Sequence, residues 1–171
     1  MKELTTLLRR LSDQKLLKIT YVQRENLTVK RLFFEHFPLA LISGLLGFAW
    51  SHEWQCIPAA LVAGWMLDAD HIFDFARYVI CNRPNIDMSL IRNGGYFKVN
   101  NKVLVPLHAW ELTVAMAIFG AVLDSPPLIT AAIAHGAHLI QDQGAYKVRP
   151  LGYWFISRTM SRFSLNGFCK K

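Results

Sequence analysis

Leu61-Val62-Ala63-Gly64-Trp65-Met66-Leu67-Asp68-Ala69-Asp70-His71-Ile72-Phe73-Asp74 runs from uninterrupted apolar sequence into four ionisable side chains without a turn between them. On a helix Asp68 and His71, and Asp70 and Asp74, lie three and four residues apart, so each pair shares a face. Three other apolar stretches carry similar groups: His36 at the start of one, His108 and Glu111 early in another, His135, His138 and Asp142 late in the last. The stretches alternate between carrying these groups at the start and at the end. If consecutive helices are antiparallel, all ten ionisable groups meet at one end of a bundle. Such convergence marks a site.

The helices are read from apolar runs of about 19–25 residues: 33–51, 56–80, 103–123 and 126–146, each near the ~20 residues that cross a hydrocarbon layer. The links Ser51-His52-Glu53-Trp54-Gln55 and Asp124-Ser125-Pro126-Pro127 are short enough to force antiparallel neighbours. The chain of 171 residues forms one domain, with 53% apolar residues and a net charge of +7. The charge is concentrated. Of 19 Lys and Arg, 8 fall in residues 1–31, 5 in 77–102 and 6 in 147–171, and none within the two apolar hairpins. A nucleic-acid binder would spread cations over a folded face, so no nucleic-acid partner is expected. Cations bracketing apolar hairpins, with Trp50 and Trp54 at the far link, instead suggest a protein of the lipid bilayer.

The expected fold is therefore an all-α membrane protein: an antiparallel four-helix transmembrane bundle over 32–146. Both termini and the 81–102 connection face the cytoplasm of the inner membrane. The competing reading is a soluble bundle with a buried polar centre. Residues 1–31 are no signal peptide. Leu4, Leu7, Leu8 and Leu11 make them a basic amphipathic helix, lying on lipid or packed on the bundle. Residues 147–171 form a basic, aromatic cytoplasmic tail. Tyr96-Phe97-Lys98-Val99 and Lys102-Val103-Leu104-Val105, joined at Asn100-Asn101, read as a small β-hairpin, either a lid or a plain loop.

Cys56, Cys81 and Cys169 are scattered and exclude a cysteine-based zinc site. His52 and Asp124 belong to the opposite end and are loop residues. His36, Asp68, Asp70, His71, His108, His135, His138 and Asp142 remain as metal-ligand candidates. Pairs of this kind on several helices are how a bundle holds metal at its centre, and unpaired ionisable groups in such a setting are costly. Mixed imidazole and carboxylate donors suit one or two divalent ions of zinc, manganese or iron. Glu111 is the candidate general base, and Arg77, Arg83, Lys147 and Arg149 either hold a phosphate or set topology alone.

His36, Leu67-Asp68-Ala69-Asp70-His71, His108 and His138-x-x-x-Asp142 together resemble the bacterial membrane-bound metal-dependent hydrolases. That family shows an early His, a D-x-D-H element, a His-rich element before a helix, and H-x-x-x-D. The third element departs. Where the family shows H-R-G-x-T-H-S, this chain has Pro106-Leu107-His108-Ala109-Trp110-Glu111. Either Glu111 replaces the missing ligand or a second metal is lost. The resemblance implies hydrolysis and names no substrate; the metal donors and the membrane setting make a phosphate-bearing lipid or polyisoprenoid the expected one. A haem or di-iron redox protein and a metal transporter are the alternatives. The sequence leaves the oligomeric state open.

Overall fold

The computed structural model describes residues 32–92, 95–146 and 148–169, so the expected N-terminal amphipathic helix lies outside the described residues. A π-helical turn, Leu32–His36, leads into α1, Phe37–Ser51, with Pro38 in its first turn. His52, at a φ of 62°, closes α1 and starts the short link to α2, Cys56–Gly64. A 3-10 turn over Met66–Asp70 and then α3, His71–Asn82, continue the chain. Two short helices follow, α4 (Met88–Arg92) and α5 (Tyr96–Asn100). Then come α6 (Trp110–Val122), α7 (Pro126–Ala145), α8 (Phe155–Met160) and α9 (Leu165–Phe168).

Helix α7 is the axis of the molecule: α1, α2 and α6 all pack on it, and α1 also packs on α2. These crossings are close because the meeting residues are small. A Cβ on Gly64 would lie 3.0 Å from the Ala40 Cβ and 3.1 Å from the Ala134 Cβ. The larger buried apolar side chains gather just beyond the end of α2, beside the C-terminal half of α7. There Leu67, Val103, Val105, Leu139, Val148, Tyr153 and Phe168 form one cluster. Beside Leu67 and Leu139, its members come from the segment before α6 and from the C-terminal residues, so both are part of the fold. The outer helix faces remain apolar. Leu46, Trp50, Ile72, Phe119, Val122 and Ile140 are all exposed.

The expected transmembrane bundle is not what the chain forms. Among the described residues no single helix is long and apolar enough to cross a membrane. Helix α1 has 15 residues and α6 has 13, about 20–22 Å at 1.5 Å per residue against ~30 Å of hydrocarbon. Helix α7 has the length, at 20 residues, but carries His135, His138, Gln141 and Asp142. The second apolar run breaks after Gly64, and its two halves, long and apolar enough for a span only when taken together, meet at a 44° bend. Residues 103–109 precede α6 without joining it.

The β-hairpin is absent too. Tyr96–Asn100 is helical and Asn101, at a φ of 48°, caps it by donating its N–H to Lys98 O. The positive φ expected of the Asn pair ends a helix instead of turning a hairpin. Lys102 makes an isolated antiparallel bridge to Ser164, far along the chain.

Candidate metal centre

Four donor atoms converge where the 3-10 turn, the segment before α6 and the C-terminal half of α7 meet. Asp68, His108, His138 and Asp142 each present a ligand atom within 4.8 Å of all the others. All but Asp68 are buried. The tight turn over Met66–Asp70 projects two carboxylates in three residues. Asp142 follows His138 by one helical turn on α7.

The tautomers of the two imidazoles follow from their neighbours. His138 Nδ1 lies 2.6 Å from the carbonyl oxygen of Gly64. A carbonyl only accepts, so Nδ1 carries the hydrogen and Nε2 the lone pair. The small residues around Gly64 let this carbonyl, at the end of α2, reach α7. His108 Nδ1 lies 3.1 Å from the Asp70 carboxylate, which also accepts the backbone N–H groups of Leu107 at 2.8 Å and His108 at 3.3 Å. The His108 Nε2 lone pair is fixed in the same way. An acceptor bonded to the far ring nitrogen in this way is what orients a metal-ligating histidine.

Both lone pairs face carboxylate oxygens. His108 Nε2 is 3.3 Å from Asp68 Oδ1 and 3.7 Å from Asp142 Oδ2; His138 Nε2 is 3.5 Å and 3.4 Å from the same two atoms. Among the described residues neither Nε2 has a hydrogen-bond partner. Lone pairs so opposed repel unless a cation sits between them. Four donors around a tetrahedral ion at ~2.0–2.1 Å would stand about 3.4 Å apart, close to the 3.3–3.7 Å between the imidazole and carboxylate atoms here. These buried His and Asp groups could hold a metal ion.

The charge balance shows the same demand. Burial would raise Asp68, but the imidazoles of His108, His138 and His71 beside it hold it well below the usual carboxylate range. Burial would likewise raise Asp142, yet His108 and His138 pull it down. Burial opposes protonation of His138, yet Asp142 and Asp68 push its pKa up to about 9, and with Asp70 they raise His108 well above its ordinary value. The carboxylates ask for positive charge, supplied by a proton or by a metal.

The other candidates fall into distinct places. His36 stacks on His138, with ring centroids 4.2 Å apart, and its Nε2 lies 3.5 Å from Asp142 Oδ1. His71 sits at the more open side, its Nε2 3.6 Å from Asp68 Oδ1 and its Nδ1 3.3 Å from the Tyr96 hydroxyl. With Asp70 and His108 it forms a second possible donor group. His135 points elsewhere. Its Nδ1 meets Thr113 Oγ1 at 2.6 Å and its Nε2 meets Leu107 O at 3.0 Å, so both ring nitrogens are occupied. Burial drives its pKa down to about 4, keeping it neutral.

Asp74 is fully buried, and its carboxylate accepts the N–H groups of Leu104 and Val105 at 2.9–3.0 Å. Glu111 also stays outside the cluster. Its two oxygens accept the N–H groups of Phe155 at 2.9 Å and Ile156 at 3.1 Å, capping α8. Its carboxylate is thus committed to the backbone, which argues against the base role expected of it. Of the cations expected near a phosphate, Arg149 is bonded through Nε to the Cys169 carbonyl, and Lys147 lies outside the described residues.

Sequence reasoning missed Gly64, Tyr96 and Arg158. Arg158 is 1% exposed and directs its guanidinium at the carbonyls of Leu104, Val105 and His108. As one cation among six in the C-terminal stretch it carried no distinguishing pattern.

No family model matches the chain, and searches of curated proteins and of solved structures found no match.

Proposed function

We propose that this chain is a metal-dependent hydrolase working against the inner membrane, with a phosphate-bearing lipid as its substrate class. One observation carries the reading. Two imidazoles with tautomers set by Gly64 and Asp70 aim unpartnered Nε2 atoms at two carboxylates, at separations that suit a single ion. Asp68, His108, His138 and Asp142 would hold the ion, and the imidazole and carboxylate donors favour zinc, manganese or iron. When bound with a further position open on the more exposed Asp68 side, such an ion would supply Lewis acidity towards a phosphoryl or acyl oxygen and lower the pKa of water.

The protein's own residues supply the rest. Asp70 and the Gly64 carbonyl orient the imidazoles, while burial of His36, His108, His138 and Asp142 keeps bulk water from these groups. Asp68 and His71, the more exposed pair, face the side from which a substrate would enter. Donors this close together leave no room between them for a macrocycle, which weighs against haem. The exposed apolar faces of α1, α3, α6 and α7 support contact with lipid, as does the motif resemblance.

The test is metal content and turnover on one preparation. After chelation and reloading with Zn²⁺ or Mn²⁺, the chain should release phosphate from phosphatidylcholine vesicles carrying phosphatidic acid. His138→Ala should lose both metal and turnover, and His52→Ala, at the opposite end of α1, neither. Stoichiometric metal without hydrolysis of phosphate or acyl esters would refute the hydrolase. Equal metal content in both variants would refute the centre.

A further inference from the structure

The C-terminal residues run alongside the metal-bearing segment for its whole length. Val103 N–H donates to Phe163 O at 2.9 Å, and Trp110 N–H to Tyr153 O at 2.9 Å. Between these two bonds Arg158 spans the loop: Nη1 donates to Leu104 O at 2.6 Å and Val105 O at 2.8 Å, and Nη2 to His108 O at 2.7 Å. Glu111 returns the contact by capping α8, the helix that carries Arg158. The opposite edge of the loop is held by acids. Asp74 accepts from Leu104 and Val105, and Asp70 from Leu107 and His108.

The loop needs this grip. Val105 sits at a φ of 25°, a conformation that a β-branched residue adopts only when its surroundings impose it. Its N–H is held by Asp74 and its carbonyl by Arg158. Three carbonyls converging on a single guanidinium is a demand that arginine's planar fork meets and a lysine ammonium does not.

We propose that residues 153–163, with Arg158 at their centre, are a positioning element of the metal centre, holding the 103–108 backbone where His108 Nε2 reaches the other three donors. The proposal rests on the metal reading of the site. Arg158 is a positioning residue: it touches the loop and not the donors.

The test uses the full chain and Co²⁺ alone as the probe, read by its visible ligand-field bands and by titration. Wild type should bind Co²⁺ with a low-symmetry tetrahedral spectrum. Arg158→Met should weaken Co²⁺ binding by about 10- to 100-fold, the range for losing an outer-shell partner, and should shift the bands. Arg158→Lys should restore part of the affinity. Gly120→Ala serves as the control for stability alone, since a Cβ there would lie 2.8 Å from Ile129 Cγ1, in the packing of α6 on α7. It should lower the melting temperature and leave the spectrum unchanged.

Wild-type affinity and bands in Arg158→Met would overturn the proposal, as would bands shifted equally by Gly120→Ala. Should Arg158→Met fail to fold, Glu111→Gln decides the matter. It removes the charge from the α8 cap and should weaken Co²⁺ several-fold; unchanged affinity there overturns the proposal. A wild-type chain that binds no Co²⁺ overturns the metal centre itself, a separate result.

Discussion

Asp70→Asn separates the two donor groups that the structure offers. If Asp68, His108, His138 and Asp142 hold the ion, Asp70 acts from behind His108. Its carboxylate accepts three N–H groups: two from the backbone, at 2.8 and 3.3 Å, and Nδ1 of His108 at 3.1 Å. An asparagine carbonyl in the place of Oδ2 can still accept from both backbone N–H groups and from Nδ1. The amide nitrogen in the place of Oδ1 then stands 3.1 Å from Nδ1, a donor facing a donor, and the charge that assists the Nδ1 bond, worth about 1.5–3 kcal/mol, is lost. The imidazole is then free to change tautomer, which places a hydrogen on the very Nε2 that must bind. At about 1.4 kcal/mol per factor of ten, affinity should fall roughly 10- to 100-fold, the range seen when an outer-shell carboxylate is removed. Competition against a chromophoric chelator with Zn²⁺ would measure this, beside His138→Ala as the reference for a lost ligand. Wild-type affinity in Asp70→Asn would refute the tautomer argument. Loss as complete as in His138→Ala would show that the ion sits in the alternative group of Asp70, His71 and His108.

Two further outcomes follow from the same geometry. Gly64→Ala should weaken metal binding severalfold with little change in helix content, because the added Cβ, 3.0–3.1 Å from Ala40 and Ala134, pushes α2 from α7 and lengthens the bond from His138 to Gly64 O; an unchanged affinity by the same competition would show that this contact is incidental. In the chelated chain, His138 has a folded pKa of about 9 against an ordinary 6.5, so its stabilisation is complete below about 6.5 and lost as pH rises towards 9. Thermal melts should therefore show the metal-free protein weakening from pH 6.5 to 9, and saturating Zn²⁺ should abolish or invert that slope, since the metal competes with the same proton. A flat metal-free profile would refute this.

The convergence of the cluster was legible because it depends on two local facts, the antiparallel order imposed by short links and the placement of His and Asp along each run. His36, Asp68, His108, His138 and Asp142 come from four such runs, and the structure brings them into one place. Helix lengths were misjudged because hydropathy alone does not see where a helix begins. Residues 103–109 are apolar enough to extend α6, yet Asp74, Asp70 and Arg158 take up their backbone groups and leave a loop. His135 illustrates the limit of spacing. It stands three residues before His138 on the same helix, close enough to share its face, but Thr113 and Leu107 claim both ring nitrogens.

The residues that were missed have a common physical cause. A metal ligand announces itself by residue type, since only a few side chains offer the right lone pairs. Its supports need not. His138 is oriented by a main-chain carbonyl of Gly64, and His108 sits on a loop whose carbonyls are gathered by Arg158. Any residue except proline offers the same backbone donor and acceptor, so half of each such contact leaves no mark on the sequence. The other half is an ordinary glycine or one arginine in a basic stretch. What distinguishes them is burial: Gly64 lies where a Cβ would crowd two alanines, and Arg158 is a nearly inaccessible cation with three carbonyls around it. Charge-assisted bonds to three carbonyls offset the desolvation of this guanidinium, and all three fall on the loop that carries His108.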